Sequence, residues 1–271
     1  MKIRISSYTY SRGVGVIGYP QPSNPYDAFA LLQKAIDLKV EILQIADNLP
    51  LENLILSELQ KLNKKAEEAN IHIEVGTKGL NTENLLRYLN IAKILKSKIV
   101  RTLPHDNNNK PSLEEAIISV KRVVQAFESA GIVLAIENHD FYNSEWLKKI
   151  ICAVDSPNVG ICLDAVNNLG QGEGFNEVFD RLIDYTVNFH CKDYTIKRKK
   201  SMLGFDVEGC PVGKGFLPLH KIAEAFKNRD ISWIIELWTP WQDDINKTIE
   251  TEENWAKESV NSLKALQKNY L

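Results

Sequence analysis

Four ionisable residues each close a short apolar run of this sequence: Glu137 ends "VLAIE", Asp164 ends "GICLD", His190 ends "VNFH" and Glu236 ends "WIIE". Brought together, three carboxylates would repel one another and lose hydration, a cost that a divalent cation relieves most simply. Three carboxylate oxygens and one imidazole nitrogen make a mostly hard donor set. It suits Mn2+ or Mg2+, is compatible with Co2+ or Zn2+, and leaves coordination positions open for a substrate. The competing reading is that each group is capped by backbone or paired with a base such as Lys192 or Arg101. That all four stand at the ends of different strands favours the cation.

Other polar and aromatic residues stand near the same strand ends. Asn138 and His139 follow Glu137 and can orient a ligand, touch a substrate hydroxyl or satisfy loop backbone. Lys192 shares strand parity with His190 and can neutralise an oxyanion or pair with a carboxylate. Arg101 and His105 are further candidates of this type. Trp238 and Trp241 follow the last strand, either as an apolar wall against a sugar ring or as cover for the core.

The elements that must position these residues alternate between short β-branched apolar runs and longer stretches of helical period, the signal of βαβ units. Eight strands are predicted: "KIRISSY", "VEILQIA", "IHIEVGT", "KIVRTLP", "VLAIENH", "VGICLDA", "TVNFHCK" and "SWIIELW". Helices are predicted at 24–39, 57–70, 82–96, 112–130, 144–154, 175–183, 217–229 and about 248–268, with Ser112 and Ser144 as opening caps. Eight βα pairs in 271 residues match a (β/α)8 TIM barrel, a fold of about 250 residues, as one domain over 1–271. A doubly wound open sheet is the alternative, but no GxGxxG turn follows the first strand.

One connection is enlarged. Residues 193–218 exceed an ordinary βα loop and read as a lid, with Met202, Leu203 and Phe205 to bury and Gly213 and Gly215 for tight turns beside a ligand. Its basic run Lys197, Arg198, Lys199 and Lys200 is either an anion contact, with Arg198 best suited to point inward, or a solvated turn.

The composition narrows the partners. A formal net charge of −2 recommends neither nucleic acid nor a membrane surface. No apolar run approaches the roughly 18 residues of a membrane span. Four cysteines without a CxxC pair, and a start without a signal-peptide pattern, lead us to expect a reduced, cytoplasmic protein.

In their order and spacing, "AIENHD", "GICLDAVNNLGQGE", "VNFHCKDY" and "WIIELW" resemble the xylose isomerase-like barrel superfamily of sugar isomerases and epimerases, along nearly the whole chain. The resemblance implies one metal held by Glu137, Asp164, His190 and Glu236, and a small sugar, sugar acid or sugar phosphate as partner, compatible with a homo-oligomer. In epimerase-like members the two glutamates also exchange protons with the substrate carbon, which makes Glu137 and Glu236 the expected catalytic pair. His139, Asn167, Lys192, Arg198 and Trp238 are the expected substrate contacts. Ketose epimerases of this type share a histidine three residues after the strand-6 aspartate, where this chain has Asn167. The superfamily's endonuclease branch needs many histidines, and this chain has five.

The expected activity is therefore that of a metal-dependent isomerase or epimerase. It would abstract a proton next to a carbonyl and pass through an enediolate. A metal-dependent dehydratase of a keto-inositol or related polyol is the alternative. A catalytically silent sugar-binding barrel, signalled by a lost metal ligand, stands third.

Overall fold

The computed structural model describes residues 2–270. In chain order it runs β1 (Lys2–Ser6), α1 (Ser11–Val14), α2 (Ala28–Leu38), β2 (Ile42–Ile45), α3 (Leu56–Glu68), β3 (His72–Lys78), α4 (Thr82–Ile94), β4 (Ile99–Leu103) and α5 (Leu113–Ala130). There follow β5 (Val133–Glu137), α6 (Ser144–Val154), β6 (Val159–Asp164), α7 (Phe175–Leu182), β7 (Thr186–Cys191), β8 (Asp193–Arg198), β9 (Phe205–Cys210), α8 (Leu219–Phe226), β10 (Ser232–Ile235) and α9 (Ile245–Gln267). Eight parallel strands close a barrel in the order β1-β10-β7-β6-β5-β4-β3-β2, as the TIM-barrel expectation requires. β8 and β9 form a separate antiparallel hairpin.

The apolar core lies between the strands and the surrounding helices; it includes Leu43 and Leu134, and Phe189 and Trp233 pack on each other and on Phe226 of α8. The barrel interior differs from the branched aliphatic filling usual in this fold. It carries a buried polar layer of Arg4, Gln44, Glu74, Asn188 and Ser232. Glu74 accepts from Gln44 (3.1 Å), Asn188 (2.9 Å) and Ser232 (2.8 Å) and pairs with Arg4, so each of these side chains has a partner.

Local chemistry sets the helix ends. Ser112 and Glu115 form the expected reciprocal capping box on α5. At α6 the cap is Asn143, one residue before the expected Ser144, because its side-chain oxygen accepts from the Trp146 N–H at 2.9 Å. The helix predicted from residue 24 begins at Ala28, since the Asp27 carboxylate takes the Ala30 N–H and ends the loop there. Residues 193–218 are not an irregular lid but a hairpin, in which Met202, Leu203 and Phe205 stay 67%, 82% and 54% exposed rather than buried. Gly213 and Gly215 close on the protein itself: their N–H groups donate to Asp193, at 2.9 and 3.0 Å. A Cβ at Gly215 would lie 2.2 Å from the Tyr194 carbonyl, so only glycine fits this close approach.

Candidate metal centre

Strand parity aims one polar side chain from each of four strands into the C-terminal mouth of the barrel. Glu137 and Asp164 end β5 and β6, His190 is the residue paired with Asp164 in β7, and Glu236 follows β10. All four are at most 2% exposed. Nδ1 of His190 lies 3.2 Å from Glu137 Oε2, 3.4 Å from Glu236 Oε1 and 4.0 Å from Asp164 Oδ2.

The tautomer of His190 follows from its other nitrogen. Nε2 lies 2.8 Å from Gln44 Oε1, and the Gln44 amide is oriented by its nitrogen, which donates to Glu74 and to Asn188. The oxygen of Gln44 therefore faces the ring, and Nε2 carries the proton. Nδ1 is the nitrogen that faces the three carboxylates and, among the described residues, it has no hydrogen bond of good geometry. Burial alone would lower the His190 pKa, but Cys162, Glu236 and Glu137 outweigh it and raise it well above the usual range. The site demands positive charge at this point, and a divalent cation fits the donor set.

The neighbouring thiol is within reach of the same point: Glu137, Cys162 and His190 offer ligand atoms that all lie within 4.8 Å of one another. Burial pushes the Cys162 thiol up to about 12, and its Sγ lies 3.3 Å from Asn188 Oδ1.

Two buried cations flank the carboxylates. Lys192 Nζ lies 2.9 Å from Asp164 and 3.1 Å from Glu236, 3.4 Å from Asn167 Oδ1 and 5.0 Å above the Trp238 ring. Burial would strip its proton, but Asp164 and then Glu236 outweigh burial and hold it charged. Arg101 donates through Nε to Glu137 Oε2 and through Nη1 to Asp47 (2.5 Å) and the Thr77 carbonyl (3.2 Å). Asn167 donates to the other Glu137 oxygen, Oε1, at 2.9 Å. Burial opposes ionisation of Glu137, yet Arg101 and then His190 keep its carboxyl well below the ordinary range.

Comparison with known proteins adds to this geometry. Residues 71–266 match the family model described as xylose isomerase-like TIM barrel. The chain belongs to this family. The barrel is also similar to a 3-oxo-isoapionate decarboxylase of Pectobacterium atrosepticum, 33% identical over 242 residues, which are 89% of this chain and 88% of that protein. A D-psicose 3-epimerase of Clostridium cellulolyticum, solved with D-tagatose, superposes with a TM-score of 0.71 at 17% identity over 99% of both chains. A xylose isomerase-like barrel of Mycobacterium smegmatis, solved with magnesium, gives 0.66 at 16% identity over 87% of this chain and 89% of that one. No described helix is long and apolar enough to cross a membrane.

Within this xylose isomerase-like barrel, the structure brings together Glu137, Asp164, His190, Glu236, Lys192, Asn167 and, at the rim, Trp238. His139 stands at the rim beside Asp140 and faces His105 rather than the quartet. Arg198 lies at the exposed end of the hairpin, stacked over Phe205 at 4.1 Å and bonded to the Met202 carbonyl. Trp241 packs on Tyr19. Asp47, Tyr8, Ser6, Gln44 and Glu74 were missed in the sequence. Polar Gln44 and Glu74 inside the apolar strands "ILQI" and "HIEVGTK" were the available signal.

Proposed function

We propose that this chain is a divalent-metal-dependent decarboxylase of a small 3-oxo sugar acid. The observation that carries the reading is the state of Glu137, which accepts from Arg101 on one oxygen and from Asn167 on the other and whose basicity is suppressed. Proton exchange on both faces, the epimerase chemistry expected from the sequence, asks this carboxylate for a basicity near the operating pH. Loss of CO2 does not, and the lone pairs that remain on its oxygens can still serve a cation. The decarboxylase relative, similar over most of both chains, supports the same choice.

Glu137, Asp164, His190 and Glu236 would hold the cation, which supplies the charge that stabilises an enediolate next to the departing carboxylate. The bond between the carboxylate carbon and the adjacent carbon breaks, its electron pair moves toward the neighbouring carbonyl oxygen, and CO2 leaves. A proton must then reach that carbon. Lys192 is the buried ammonium at the mouth, set between Asp164 and Glu236, and is placed to deliver it. Trp238 offers an apolar wall on the same side and Asn167 a carboxamide. Arg101 keeps Glu137 ionised for its work as a ligand.

Turnover in heavy water, with manganese-loaded protein and 3-oxo-isoapionate, tests this. Released CO2 and one deuterium at the former carboxylate-bearing carbon, without deuterium in unreacted substrate, are expected. Deuterium washed into unreacted D-psicose or another ketose, without CO2 release from the oxo acid, would favour the isomerase or epimerase instead.

A further inference from the structure

A second group of ligating side chains stands beside the centre and is used by none of the chemistry above. His105 follows β4, and His139 and Asp140 follow β5, so two paired barrel strands deliver them to one place. One ligand atom from each of the three falls within 4.8 Å of the others. The His105 and His139 ring centroids are 5.3 Å apart, and His139 Nδ1 lies 3.1 Å from Asp140 Oδ2.

The nitrogens are the informative atoms. Nδ1 of His105 and Nδ1 of His139 are both shielded from solvent, and neither has a hydrogen-bond partner of good geometry among the described residues. Buried imidazole nitrogens without a well-aligned partner are costly and ordinarily find one. Here His105 Nδ1 has none and His139 Nδ1 has only the Asp140 carboxylate at 3.1 Å, outside good hydrogen-bond geometry, an arrangement that a cation would complete. Phe141 packs edge-on against His105 at 4.8 Å, with Lys110 over the Phe141 ring at 3.3 Å from its centroid, so an aromatic ring stands at one side of the cluster.

We propose that His105, His139 and Asp140 bind a second divalent cation, of the zinc class, at the rim of the barrel. Two imidazoles and one carboxylate make a softer set than the three carboxylates and one imidazole of the main centre. Such a three-residue set holds zinc with a fourth position left for water. The two sites thus differ in metal preference, and the inference does not depend on which reaction the main centre performs.

Anomalous diffraction at the zinc edge tests it, on crystals of the full chain stripped with chelator and soaked with zinc chloride. Two peaks per chain are expected, one within about 2.0–2.1 Å of both rim Nδ1 atoms. A single peak at the main centre, or a second peak elsewhere, overturns the proposal. In solution, zinc stoichiometry by elemental analysis after desalting should fall from two to one in His105→Ala and in His139→Ala. Two zinc ions retained in both variants would equally overturn it.

Discussion

Gln44 Oε1 stands 2.8 Å from Nε2 of His190, held there by the bond from the Gln44 amide nitrogen to Glu74 at 3.1 Å. The pair fixes which nitrogen of His190 is free. Gln44→Leu should therefore leave the fold intact but weaken Mn2+ binding about 10–100-fold, the usual cost of losing such a partner. Calorimetric titration of the metal-stripped protein measures this, and the nitrogen shifts of the His190 ring report the tautomer. Unchanged affinity together with unchanged shifts would show that Gln44 only fills space.

Arg101 compensates Glu137 in the absence of metal. Arg101→Met should destabilise the metal-free protein by about 3–5 kcal/mol, because it leaves a buried carboxylate without its charge partner. Saturating Mn2+ should recover a substantial part of that loss. Denaturant unfolding with and without the cation decides the matter, and an equal loss in both conditions would mean that the guanidinium serves packing alone.

Lys192 and Arg198 were both expected to contact substrate, and the structure separates them. Lys192→Met should lower kcat about 10²–10⁴-fold if it delivers the proton. Arg198→Ala changes an exposed hairpin residue and should shift kcat/KM by no more than about twofold, the scale of a surface substitution. A large KM increase in Arg198→Ala with acidic substrates only would restore the hairpin's basic run as an anion contact.

Glu252 in α9 is buried and accepts from the Arg12 N–H at 2.9 Å and the Gly13 N–H at 3.0 Å, tying α9 to α1. Burial raises its carboxyl from 4.5 to about 8. The folded state therefore holds a proton that the unfolded state releases, and stability declines as pH climbs between those two values. Glu252→Gln, which cannot ionise, should flatten this part of the Tm profile and gain relative to wild type at pH 9. Parallel profiles for the two proteins would sink the assignment.

Much of this was legible in the sequence because barrel strands announce themselves. An apolar run that stops at Glu137, Asp164 or Glu236 marks both a strand and its functional end. The quartet converges because the barrel closes, as read. The hairpin was harder. Its residues "DYTIKR" and "FDVEGC" pair antiparallel, and the segment after them is held by Asp193, which collects the N–H groups of Tyr194, Gly213, Gly215 and Leu217, a contact across 24 positions that no local pattern reveals. A carboxylate paired with Arg101 was among the readings of the sequence, but nothing in the spacing named Glu137 as that carboxylate or Asn167 as the donor to its other oxygen. Spacing places side chains at a mouth, but it does not say which of them will be consumed by one another.

The bond from Ser6 to Glu236 joins residues 230 positions apart, where β1 lies beside β10. Until that last strand is synthesised and docked, the polar layer lacks Ser232 and the mouth lacks Glu236, the fourth residue proposed to hold the cation. A growing polypeptide on the ribosome has no finished pocket to offer a cation, whatever the cellular supply. On the proposed reading, loading with metal would come after barrel closure, and fragments cut anywhere between β1 and β10 should capture the ion only once they have reassembled.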